Sequence, residues 1–166
     1  TDMAIMSARL IGVPRVFIGM SRSSPEFISR RNFEELVLPE LEYTVNRFVA
    51  TNIIPVLHCD TNWTKFFDLF KRFPARRCIL ELDGRSDIFK AKEILGEHMC
   101  IMGDVPATLL ATGTRDEVLA YCRRLIETVG KGGGFILSSG CSLPNNAKME
   151  NVRALYEAVQ EWGWYS

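Results

Sequence analysis

Several absences narrow the class of this protein. No run of apolar residues approaches the 18 that would suggest a membrane-spanning helix, and no stretch has the pattern of a signal peptide. Neither charge is in surplus: 20 basic and 20 acidic residues cancel, and no basic run stands out. Nucleic acid and membrane surfaces are therefore not expected as partners, because both are bound through concentrated positive charge. No Cys-x-x-Cys occurs, and the five cysteines (Cys59, Cys78, Cys100, Cys122 and Cys141) are odd in number and mostly set in apolar or helical surroundings. They read as reduced thiols of a cytoplasmic protein, not as a disulfide framework.

What is present is a chain of 166 residues, 47% apolar and 24% charged, long enough for one domain and a real core. Strand-like and helix-like stretches alternate along it. Residues 13–18, 53–59, 76–83, 99–104 and 134–140 read as five strands. Between and after them, helical spacing runs over 31–50, 63–73, 86–95, 115–129 and 148–163, and the opening TDMAIMSARL reads as helix interior. Pro39 is expected to kink or split its helix, Ser86 to cap the helix at 86–95, and Thr114 with Glu117 to form a capping box. Trp162, Trp164 and Tyr165 suggest a packing or interface cluster at the end. The glycines of GKGGG precede a strand, whereas a phosphate loop follows a strand and opens a helix, so they read as a helix stop and tight turn. Five βα units predict an α/β fold with a parallel sheet, either open and doubly wound or part of a (β/α) barrel.

In such folds chemistry gathers at the C-terminal ends of the strands. Those ends carry Met20 and Ser21; His58, Cys59 and Asp60; Glu81 and Asp83; Asp104; and Ser138, Ser139 and Cys141. Strand alternation puts His58 and Asp60 on one side and turns Cys59 to the other, and Glu81 and Asp83 likewise share a face. A carboxylate one step inside a strand end is costly to bury unless a cation or hydrogen bonds meet it. His58, Asp60 and Cys141 could thus form a three-ligand open zinc site with Glu81 or Asp83 beside it; the alternative is a rim of hydrogen-bonding residues. His98, before the fourth strand, reads as a surface residue.

The order of FEELVLPELEYTVNRF, IIPVLHCD, AKEILGEHMCIMGDVPATLLATGTRDEV, GGGFILSSGCSLP and MENVRALYEAVQEWG resembles the superfamily of uroporphyrinogen decarboxylase and the cobamide-dependent methyltransferases. The resemblance runs from about Gly12 to Gly163. It implies a TIM barrel of which this chain supplies the C-terminal portion, about strands 4–8. Residues 1–166 would then be one partial domain of a longer chain, because five units cannot close a barrel of eight. A naturally short chain would have to pair its edge strands with a second chain.

The last turn separates the superfamily's two chemistries. Decarboxylase relatives place a histidine there, whereas this sequence has Cys141. The methyltransferase branch holds zinc with His-x-Cys after an earlier strand and a cysteine in this last turn. His58 and Cys141 match; Asp60 stands where the second ligand cysteine would be, giving one thiolate in place of two and a stronger Lewis acid. The resemblance therefore implies zinc held by His58, Asp60 and Cys141, an acceptor thiol (or a folate) activated at it, and attack on the methyl group of a cobalamin. The Asp-x-His-x-x-Gly pattern of a cobalamin-binding domain is absent, so the corrinoid would arrive on a partner protein. Glu81 and Asp83 would orient a ligand or complete the coordination shell. The alternatives are a metal-independent decarboxylase, for which Arg22 and Arg85 are the rim arginines available to substrate carboxylates, and a non-catalytic binding protein of the corrinoid pathway.

Overall fold

Parity along each strand decides which side chains the fold buries. The computed structural model describes residues 1–164. Five strands, β1 (Arg15–Gly19), β2 (Ile54–Cys59), β3 (Ile79–Leu82), β4 (Cys100–Val105) and β5 (Phe135–Ser139), form one sheet in sequence order, all neighbours parallel. One parity, Leu57 and Cys59, Leu80 and Leu82, and Ile101, is fully buried in the main core. The other parity aligns across the ladders: Gly19 opposite His58, His58 opposite Glu81, Glu81 opposite Met102. That second face is partly open, with Phe17 59% exposed and Ile136 38%.

The helices are α1 (Asp2–Leu10), α2 (Arg30–Asn32), α3 (Leu38–Ala50), α4 (Ile88–Leu95), α5 (Ala107–Thr112), α6 (Arg115–Thr128) and α7 (Met149–Trp162). Helices α3, α4, α6 and α7 contribute Val45, Ala91, Cys122, Leu125 and Ala154 to the core over the first parity. This is an α/β fold of five parallel strands, an arc of a (β/α) barrel. Among the described residues no helix is long and apolar enough to cross a membrane.

Three local expectations meet the structure differently. Pro39 splits its helix as expected: a π turn over Phe33–Val37 precedes α3, so the proline, which lacks an N–H, falls in the first turn, where no such donor is needed. The stretch expected as an α-helix over 63–73 is instead a 3-10 helix, Thr64–Arg72. Its apolar residues explain why: Trp63, Phe66 and Leu69, and Phe67, Phe70 and Phe73, recur every third residue and are all buried, while Lys65, Asp68 and Lys71 are exposed. Three residues per turn stacks each set into its own stripe. Thirdly, Asp87 and not Ser86 caps α4, its carboxylate accepting from the Lys90 N–H at 3.0 Å. The Thr114–Glu117 capping box forms as expected. Trp162 lies beneath the Arg123 guanidinium, 5.4 Å from its ring, Trp164 is 76% exposed, and Tyr165 lies outside the described residues.

Candidate metal centre

Parallel register brings His58 and Glu81 side by side on the inner face. Opposite His58 on its other flank is Gly19, with open space where a side chain would stand, and the Phe17 ring lies 4.9 Å from the imidazole. Both His58 and Glu81 are buried, at 7% and 8% exposure. His58 Nδ1 is 3.1 Å from Glu81 Oε2, and Nε2 is 3.0 Å from Asp60 Oδ1. Cys141, from the turn after β5, brings its Sγ to 4.0 Å from the same Nε2 although 83 residues separate them. The ligand atoms of His58, Asp60 and Cys141 lie within 4.8 Å of one another.

The donor chemistry of this set favours a cation. With Nδ1–H donating to Glu81, Nε2 presents a lone pair, and it faces a carboxylate oxygen and a sulfur. A histidine whose second nitrogen is tied to a carboxylate is the usual arrangement at metal ligands, because it fixes the tautomer and the ring orientation. Nitrogen, oxygen and thiolate donors suit zinc. The residues fit a metal ion in donor type and in their mutual proximity.

The neighbouring candidates divide. Cys59 is fully buried on the opposite face, and burial together with the nearby Asp83, Asp60 and Glu81 charges pushes its thiol well above the ordinary range. It packs in the core, on the face that alternation predicted. Asp83 has both oxygens engaged by backbone: Oδ2 accepts from the Thr61 N–H at 2.7 Å and Oδ1 from the Arg85 N–H at 2.8 Å. Asp104 is turned to the helix side, where Tyr121 Oη donates to its Oδ1 at 2.8 Å; burial raises its carboxyl to about 6 despite that bond. Of the rim arginines, Arg22 is exposed and Arg85 stands 3.7 Å from Glu26. His98 is half-buried, with Nε2 2.8 Å from the Phe73 carbonyl.

Sequence reasoning passed over the residues that hold the turns. Ser86 Oγ accepts from the Trp63 N–H at 2.9 Å and donates to the Thr61 carbonyl at 3.0 Å. The Trp63 indole donates to the Asp60 carbonyl at 2.7 Å. Serine directly before a helix signals a cap, so nothing local in the sequence marks Ser86 as a loop brace.

A parallel βα arc with polar side chains gathered at its C-terminal rim is part of a (β/α) barrel. Residues 10–162 match the family described as Uroporphyrinogen decarboxylase (URO-D), and the chain belongs to that family. A uroporphyrinogen decarboxylase from Methylococcus capsulatus is 32% identical over 85 residues, 50% of this chain and 23% of the relative. Another, from Anaeromyxobacter dehalogenans, is 25% identical over 137 residues, 82% of this chain and 38% of the relative. A methyltransferase from Methanosarcina mazei superposes with a TM-score of 0.80 at 22% identity, over 98% of this chain and 47% of that one. At that identity the likeness establishes the fold. The chain thus spans less than half the length of these relatives.

Proposed function

We propose that this chain carries the acceptor-activating part of a zinc-dependent methyltransferase that moves a methyl group from a corrinoid protein to a small-molecule thiol or a folate. The observation that carries the reading is the convergence of His58, Asp60 and Cys141, three metal-capable donors on two non-adjacent strand ends. The cysteine in the last turn supports this branch over one with a histidine there, and the structural relative bears the name methyltransferase. When bound, zinc would supply the Lewis acidity that makes a thiol a thiolate near neutral pH.

The chain's own residues have separable tasks in this reading. His58, Asp60 and Cys141 present the donors. Glu81 pairs with His58 Nδ1 and so fixes the ring with Nε2 aimed at the rim. Asp83 holds the turn that follows Asp60. The remaining barrel units would come from an upstream segment or a second chain, and the free cysteines accord with a cytoplasmic setting.

A second reading, decarboxylation of a tetrapyrrole or a smaller acid, is favoured by one observation: the curated sequence relatives are named uroporphyrinogen decarboxylases. Elemental analysis of the full-length protein, purified without chelators, separates the two. About one zinc per chain, lost in Cys141→Ala, is the expected result. No zinc in either protein overturns the methyltransferase reading in favour of the decarboxylase.

A further inference from the structure

We propose that Asp83 is a positioning residue that sets the distance between the turn bearing Asp60 and the turn bearing Cys141; the inference rests on the metal-site reading above. Asp83 follows β3 directly and stands between those turns. Its carboxylate reaches one of them, accepting from the Thr61 N–H at 2.7 Å, and accepts from its own turn through the Arg85 N–H at 2.8 Å. Its backbone supports the other. A Cβ built on Gly140 would lie 2.5 Å from both the carbonyl carbon and the carbonyl oxygen of Asp83, so the glycine permits an approach that any side chain would prevent. Gly140 is also held by its N–H to the Val105 carbonyl at 2.8 Å.

The Asp60 turn needs this support. Thr61 has φ of 70°, a left-handed conformation that β-branched residues avoid, and its Oγ1 is buried with no hydrogen-bond partner among the described residues. Such a backbone persists only where its surroundings impose it. Here three bonds do so: Asp83 at the Thr61 N–H, Ser86 at the Thr61 carbonyl, and Trp63 at the Asp60 carbonyl. His58 needs no such help, since β2 and Glu81 already fix it. Two of the three donors therefore depend on turns, and both turns meet at Asp83. Asp83 acts through Thr61 and Gly140, not on any bound species.

Cobalt(II) titration of the full-length protein tests this, because a thiolate ligand gives a sulfur-to-cobalt charge-transfer band that reports the Cys141 placement directly. Asp83→Ala is expected to weaken cobalt binding about ten- to hundredfold and to diminish that band. Asp83→Asn, which keeps one acceptor oxygen, is expected to fall between. Gly140→Ala is expected to diminish the band while the Thr61 N–H bond survives. Leu125→Ala, a fully buried position on α6, serves as the control for general destabilisation: Tm falls with the cobalt spectrum unchanged. Amide hydrogen exchange supplies a readout independent of metal, in which Asp83→Ala raises exchange at Thr61 and Gly140 together.

Cobalt affinity and band in Asp83→Ala equal to wild type would overturn the proposal, as would faster exchange at Thr61 with Gly140 unmoved. A wild-type protein that takes up no cobalt would overturn the metal-site reading, and the coupling of the two turns would then be decided by the exchange data alone.

Discussion

The two faces of the sheet are built on opposite terms. On the helix side, Leu57, Leu80, Leu82 and Ile101 are completely buried, and the main departure from hydrocarbon is Asp104, bonded to Tyr121. On the inner side, apolar residues such as Phe17 and Ile136 remain substantially exposed, and the best-buried side chains near the rim are the polar pair His58 and Glu81. One face holds the fold through packing; the other spends little on packing and keeps a polar cluster in place by register. Residues adjacent in sequence, such as Leu80 and Glu81, thus serve different ends. Stability and metal affinity should therefore be separable by single substitutions one residue apart.

The sharpest test of that contrast is Leu80→Ala. It removes a fully buried side chain from the helix-side core and is expected to cost about 2–5 kcal/mol in denaturant unfolding, with zinc affinity of the folded protein unchanged. A loss of zinc affinity comparable to that of a ligand substitution would show that the faces are not independent.

Next in size is the pH dependence contributed by Asp104. Its carboxyl is raised to about 6 in the fold from an ordinary 3.8, so between those values the folded protein holds a proton that the unfolded chain has released. Stability from this residue is therefore full below about pH 4 and is lost as pH rises through 6, by roughly 2–3 kcal/mol. Asp104→Asn should flatten that part of the stability–pH curve. An unchanged slope in the variant would mean that the pair is not the source.

The smallest effect is on the inner face. Glu81→Gln keeps the shape but removes the charge that orients His58, and is expected to weaken zinc about tenfold, roughly 1.4 kcal/mol, while Tm stays within a few degrees. Calorimetric titration with zinc, beside a thermal melt, measures both. A large fall in Tm with intact affinity would reverse the assignment of roles.

Much of this arrangement was legible before the fold. The alternation of short apolar strands with helices was enough for a parallel α/β arc, and parity alone separated Cys59 from His58 and Asp60. The 3-10 helix was also written in the chain, since Lys65, Asp68 and Lys71 of WTKFFDLFKRF recur every three positions; helical periodicity absorbed the signal because Phe66, Phe67, Leu69, Phe70 and Phe73 also share one broad face at 3.6 residues per turn. Asp104 was placed on the rim by counting to the strand end. Alternation fails there at Gly103, where φ is 130° and a Cβ would meet the Leu82 carbonyl oxygen at 2.6 Å. Ser86, Thr61 and Gly140 were not legible as a brace, because what they do depends on contacts between turns far apart in sequence.

The span between the donors has a consequence for how the protein reaches its finished form. Each strand pairs only with its neighbours in sequence, so the sheet can grow one βα unit at a time. His58 and Cys141 meet across 83 residues, with the β2–β3, β3–β4 and β4–β5 ladders between them. The cluster can close only once all three ladders are in register. Capture of an ion there would mark the completion of these three ladders, and its release would give early notice that one of them had begun to open.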